Sequence, residues 1–212
     1  MKIISTNIGT PTTFLWKGKE ETTGIFKKPT NERLYLTKND VLGDEISNRL
    51  NHGGYYKACY LFSAEQYPYW KDLYPDLDWS WGMLGENLTV SGFDEREVQL
   101  GAIYKVGDAM IQISQYREPC YKFGHKFGTQ KVLKQFIEHG FGGTYVSILE
   151  EGHVGIGDEF ILVERPENSL TVASLFQLVF AKEKNQELLK IAAKSKAIPP
   201  KKRILLSNYI EK

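Results

Sequence analysis

Four short polar clusters interrupt a strand-like pattern: Gly43-Asp44, Asn51-His52-Gly53-Gly54, Gly85-Glu86-Asn87-Leu88 and Arg117-Glu118-Pro119-Cys120. The last carries the most reactive group. Pro119 fixes the backbone before Cys120, and Arg117 and Lys122 lie close in sequence. A thiol beside cations carries more thiolate. A thiolate serves as a nucleophile or as a ligand for a soft metal. A lone cysteine is more often a small core filler, but a loop position and flanking charge weigh against that for Cys120. Cys59 is the contrast: it sits in the apolar run KACYLF and reads as a buried core thiol.

His52 precedes two glycines, Gly53 and Gly54, that let a backbone approach a ligand closely. Its side chain suits an anion or a substrate, or simply caps a turn. Arg117, Lys57 and Lys122 are the residue types of a phosphate site, although a lysine taken alone is usually just solvated. Asn87 offers a donor and an acceptor to a ring edge; equally it can tie down a turn. The four histidines (His52, His125, His139, His153) show no HxxxH or HxH spacing, which disfavours a zinc site. There is no GxGxxG opening a helix and no GxxxxGK[ST] loop, so a Rossmann site and a P-loop are disfavoured.

Each cluster falls at the edge of an expected strand or helix. Strands fit Lys2–Thr6, Arg33–Leu36, Lys57–Phe62 and Thr144–Leu149. Over 98–115, Ala109, Ile111 and Ile113 alternate with Met110, Gln112 and Ser114. Gly107-Asp108 supplies a hairpin turn there, and Gly157-Asp158 repeats the device. Two helices interrupt the strands. Ser63–Leu73 opens with a capping box of Ser63 and Gln66. Thr129–His139 turns Val132, Leu133, Phe136 and Ile137 inward and ends at Gly140.

The texture changes at Pro166, after which there is no glycine. Residues 1–163 hold 17 Lys+Arg and 21 Asp+Glu; residues 164–212 hold 10 and 5. The tail reads as three helices. Thr171 caps the first, whose apolar face is Val172, Leu175, Phe176, Val179 and Phe180. Leu188, Leu189, Ala192 and Ala193 belong to the second. Pro200 starts the third, with Ile204, Leu205 and Ile210 as its apolar side. A bundle this small packs on the main domain or on another subunit, so a homo-oligomer is compatible with it.

The chain has 212 residues, 42% hydrophobic and 25% charged, which is globular composition. A net charge of +1 gives no global field for nucleic acid or an acidic membrane. No apolar stretch is long enough to span a bilayer. The N-terminus, MKIISTNIGTPTTF, reads as a first strand rather than a signal peptide. Two cysteines make no disulfide framework, so the expected setting is the cytoplasm, with reduced thiols.

The segments VLGDEISNRLNHGGYYKACYLFS, WGMLGENLTVSG and VQLGAIYKVGDAMIQISQYREPCYK, in that order, resemble the MOSC family, the domain related to the C-terminus of molybdenum cofactor sulfurases. The resemblance covers roughly residues 1–163 and is strongest to the YiiM-like branch, which adds a small C-terminal three-helix domain. It implies a mainly β fold: a MOSC-type β-barrel with interspersed helices over residues 1–165, then a three-helix domain over 166–212. It also implies a molybdenum cofactor of the molybdopterin type, with Cys120 of the PC motif as the candidate metal ligand. Such a cofactor needs a soft ligand, an edge-reading amide and cations. Cys120, Asn87 and the set Arg117, Lys122 and Lys57 are those types, and the loops beside them add Glu86, Gly53 and Gly54.

Relatives of this type reduce N-hydroxylated compounds, including hydroxylamines and N-hydroxylated base analogues. The implied substrate is therefore a small N-hydroxylated molecule, with electrons from a flavin or iron-sulfur reductase. His52 is the candidate proton donor or orienter because its unperturbed pKa lies near neutrality; Glu86 is the second choice. Two other readings stay open. One is a non-catalytic carrier of molybdenum cofactor or sulfur on Cys120. The other is a metal-free thiol enzyme with Cys120 as nucleophile and His52 as base.

Overall fold

The computed structural model describes residues 1–47 and 52–211. Asn51 of the NHGG cluster lies outside them. The main strands are β1 (Lys2–Gly9), β4 (Lys27–Thr30), β6 (Cys59–Ser63), β7 (Leu88–Ser91), β8 (Ile103–Val106), β9 (Ala109–Tyr116), β10 (Thr144–Glu150) and β12 (Phe160–Glu164). They form one sheet in the order β12-β8-β9-β10-β6-β7-β1-β4. Every neighbouring pair is antiparallel except β6 and β7. That parallel pair needs a crossover, and the connection carries helix α1 (Tyr67–Leu73). Two small pairings complete the β structure: hairpin β2 (Thr12–Trp16) with β3 (Lys19–Thr23), and β5 (Leu34–Leu36) with β11 (Gly152–Val154).

The β8–β9 hairpin turns at Gly107-Asp108 as the sequence suggests. Ala109, Ile111 and Ile113 are buried while Met110 and Gln112 are half-buried, so period 2 holds as far as Ile113; Ser114, expected on the outer side, is buried too, because the end of β9 is covered on both faces. Gly157-Asp158 does not make a second hairpin, because β11 pairs with β5 and β12 with β8. That turn receives the start of β1 instead. Ile3 N donates to Asp158 O (3.0 Å), Gly157 N to Ile3 O (2.9 Å) and Phe160 N to Met1 O (3.0 Å). The sheet thus curls until its first strand meets β12 at the isolated bridge Lys2–Glu159. Among the described residues its ladder does not close into a continuous barrel.

Helix α1 starts later than the capping-box pattern suggests. Ser63 ends β6, and its hydroxyl donates to Glu65 rather than to a helix amide. A short 3-10 turn, Ala64–Gln66, intervenes, which leaves Pro68 in the first turn of α1, where a missing N–H costs nothing. Helix α2 (Tyr121–Lys126) follows Cys120 directly. Helix α3 (Lys131–His139) buries Val132 and Phe136, and Gly140 ends it in the left-handed region.

The tail forms α4 (Val172–Phe180), α5 (Gln186–Lys194) and α6 (Pro200–Ser207). Thr171 Oγ1 accepts from Ser174 N (3.1 Å), the expected N-cap. Of the apolar side expected for α6, only Ile210, just past the helix end, packs partly buried on the core. Ile204 and Leu205 are 64% and 55% exposed, and Leu206 is buried. Lys202 and Leu206 are four residues apart on one helix face, and that face is the one turned to the protein. The helices share one core with the sheet. Phe176 of α4 stacks edge-on against Tyr116 of β9 (5.5 Å), and Leu189, Ile198 and Leu206 belong to the same buried cluster. Among the described residues, no helix is long and apolar enough to cross a membrane.

Glu95 fastens the tail to the sheet side. Its carbonyl accepts from Ala173 N (2.9 Å), and its carboxyl accepts from Gly143 N (2.8 Å) while Oε2 has no partner. Burial pushes this carboxyl up to about 8. The folded protein therefore holds a proton that the unfolded chain releases near the ordinary carboxylate value. Stability should fall as pH rises from about 4.5 towards 8 and level off above that. Glu95→Gln keeps the acceptor and removes the titration. Urea midpoints at pH 5 and pH 8 should show the variant gaining on the parent with pH; parallel curves would contradict this assignment.

Candidate active-site cleft

The wall of the main cleft is built around a buried carboxylate. Asp44 follows the Leu42-Gly43 turn, and its side chain is almost wholly enclosed. Oδ1 accepts from Gly9 N (2.8 Å), Oδ2 accepts from Asn87 Nδ2 (2.9 Å), and Lys27 Nζ contacts both oxygens. This one group joins the end of β1, the start of β4 and the loop before β7. Asn87 Oδ1 in turn accepts from Tyr60 N (3.3 Å). Asn87 lines the cleft, but its amide is committed to protein partners and supports the wall.

The cleft holds about 690 Å³ of empty space, part of it open to solvent. His52, Lys57, Asn87, Arg117, Cys120 and Lys122 all line it, so residues from NHGG, GENL and REPC meet in one place. Gly85 of GENL also lines it. Its φ of 86° is glycine territory, and a Cβ there would lie 3.4 Å from the Arg117 guanidinium. Glu86 faces the other way. It is fully buried, and Oε1 accepts from Tyr67, from Gly82 N (2.9 Å) and from Thr89 Oγ1 (2.7 Å). Gly53 and Gly54 do not line the cleft; Gly54 O caps the 3-10 turn Tyr55–Lys57 by accepting from Lys57 N (2.8 Å).

Arg117 is the buried cation of the site. It leaves the end of β9 and donates to Leu84 O. Its guanidinium lies 4.7 Å from the Phe123 ring centre and 5.0 Å from that of Tyr60. Among the described residues no carboxylate pairs with it. Lys122, the second residue of α2, donates to Thr22 O (2.6 Å) and lies 3.5 Å from Glu21, which ties the β2–β3 hairpin to the site. Cys120 is the residue before α2, half-buried, with extended backbone. It borders both this cleft and a second, outer cavity lined also by Pro119 and Tyr121.

The cations shape the site's titration. Burial, then Lys57, Arg117 and Lys122, lower His52 to about 4. Its imidazole is therefore neutral at pH 7 in the free cleft. Burial and then Lys202 also lower Lys57. Cys59, by contrast, is a core residue of β6, and burial pushes its thiol up.

Lys27, Tyr60, Tyr145 and Lys202 escaped the sequence reading. Lys27 and Asp44 are 17 residues apart with a strand between them, and only the fold brings them together. Lys202 looks like any solvated helix lysine.

The MOSC domain pattern matches residues 48–161. The chain is 34% identical over 183 residues to YflK of Bacillus subtilis, covering 86% of this chain and 82% of that protein. It is 31% identical over 179 residues to YiiM of Escherichia coli, covering 82% and 80%. A protein named Reductase from Gibberella moniliformis is 31% identical over 176 residues, 81% of this chain and 31% of the relative. The crystal structure of YiiM from Geobacillus stearothermophilus superposes with a TM-score of 0.82 at 28% identity, covering 99% of both chains. The chain belongs to the MOSC domain family, in its YiiM-like branch.

Two measurements test the site. Asp44→Asn strands Lys27 without its counter-charge and should cost about 3–5 kcal/mol, whereas Asp44→Leu with Lys27→Met should cost less. Urea unfolding of both variants decides; equal losses would mean that the buried charge is not the issue. The His52 ring should titrate near 4 by NMR in the free protein and move up when phosphate enters the cleft. A midpoint near 6.5 in the free protein would contradict both the burial of the ring and the cations beside it.

Proposed function

We propose that the cleft holds a molybdenum cofactor through Cys120 and that the chain uses it to reduce small N-hydroxylated compounds. The observation that carries this reading is the pairing of one soft donor, Cys120, with the buried Arg117, which has no carboxylate partner among the described residues. The residues present fit such a group. Among the described residues no cluster of His, Cys, Asp and Glu could hold a metal alone, so a metal here takes its other donors from an organic cofactor. Cys120 Sγ would be the soft protein ligand. Arg117, Lys57 and Lys122 suit a terminal phosphate. Asn87 stiffens the wall instead of reading a ring edge.

When bound, the cofactor supplies two-electron redox chemistry at its metal. The overall change is balanced: R–NHOH takes two electrons and two protons and gives R–NH2 and water. The electrons come from a flavin or iron-sulfur reductase. Burial first and then the cations depress His52, and an anion among the cations offsets the second of these. The ring then moves up from its depressed value, and a ring nitrogen is placed to pass on the proton that the departing oxygen needs. The relative named Reductase supports the redox class. Both cysteines are free thiols, which suits a reducing, cytoplasmic setting. The partial exposure of Cys120 also suits a carrier that delivers cofactor or sulfur, and turnover separates the two.

Cys120→Ser should abolish molybdenum retention and the reduction of an N-hydroxylated substrate by an artificial reductant, with little change in thermal midpoint. A serine hydroxyl is a hard, protonated group at neutral pH. Cys59→Ser makes the same atomic change in the core. It should cost about 1–3 kcal/mol if the hydroxyl finds no partner and keep the metal. Full molybdenum and full turnover in Cys120→Ser would end the ligand assignment. Metal without turnover in the parent would favour the carrier.

A further inference from the structure

The C-terminal helices reach the cleft through one side chain. Lys202 shares a face of α6 with the buried Leu206, and its side chain is 15% exposed. Its Nζ lies 2.5 Å from Glu118 Oε1 and 4.1 Å from the Tyr116 ring centre. The Tyr116 hydroxyl donates to the same carboxylate oxygen (3.0 Å). Glu118 stands between Arg117 and Cys120 and borders both the cleft and the outer cavity. The other acids nearby differ in placement: Asp44 is bound to Lys27, Glu21 faces Lys122, and Glu45 sits on the wall beside Asp44. The negative charge of Glu118 reaches both Lys57 and His52. The Glu118 side chain is 58% exposed, so salt screens its charge and its reach is greatest at low ionic strength.

We propose that Lys202 is a positioning residue of this cleft: it holds the Glu118 carboxylate against Tyr116 and neutralises it, so that Glu118 does not cancel the positive field at Cys120. The helical tail is thereby part of an anion site rather than an appendage beside it. This holds whichever anion enters, and its test needs no molybdenum.

The full-length chain, from a host unable to make molybdopterin, is alkylated with iodoacetate and with iodoacetamide at low ionic strength. Both reagents use the same thiolate, so the ratio of their rates reads the potential at Cys120 and not its ionised fraction. Peptide mapping confirms that the buried Cys59 stays unmodified. Lys202→Met should lower the iodoacetate-to-iodoacetamide ratio by about threefold. Lys202→Arg should keep it. Lys202→Met with Glu118→Gln should restore it, because the neutral amide no longer opposes the cations. Thermal midpoints show that each variant is folded. An unchanged ratio in Lys202→Met overturns the proposal. So does a double variant that stays low, since the lysine would then act through packing and not through the charge of Glu118.

Discussion

The buried carboxylate of Asp44 is the constraint on which the cleft depends. An ionised group taken out of water is tolerated only with its charge and lone pairs matched. Lys27 matches the charge; Gly9 N and Asn87 Nδ2 supply the remaining hydrogen bonds. These partners come from three separate stretches of chain. The demand for satisfaction therefore fixes where those stretches lie relative to one another. Asn87 relays the constraint to β6 through Tyr60 N, and on the next strand over, β10, Tyr145 pairs with Tyr60 and sets its ring 5.1 Å away.

With one cation consumed by Asp44, the remaining charges are uneven. Arg117 is held by aromatic faces and a carbonyl rather than by an acid. Lys122 is held against the β2–β3 hairpin. The result is a positive cleft beside a thiol in a chain of nearly zero net charge. Global charge thus says little about what this protein attracts, and the local field says more. Burial first and that field second depress His52.

The tail completes the balance. Each of its three helices adds buried side chains to the core of the sheet, and α6 turns Lys202 towards Glu118. A helix face is chosen by the sum of its contacts. Here Leu206 and Lys202 together outweigh the more hydrophobic pair Ile204 and Leu205, which stay in solvent.

The sequence by itself determined the elements whose signals are local. Period-2 alternation gave β9, the Gly107-Asp108 turn gave its hairpin, Thr171 and Pro200 marked helix starts, and the apolar run around Cys59 marked a core strand. It also singled out NHGG, GENL and REPC, segments whose residues meet in the cleft. The tertiary structure decided the rest. Gly157-Asp158 receives β1 instead of closing a hairpin, since strand pairing depends on distant partners. Glu86 and Asn87 are neighbours in the chain, yet one turns into the core and the other to the cleft wall. Lys27 meets Asp44, and Lys202 meets Glu118, across separations that no local pattern encodes. Burial and pairing of charge are properties of the assembled surroundings, and a residue's type alone does not contain them.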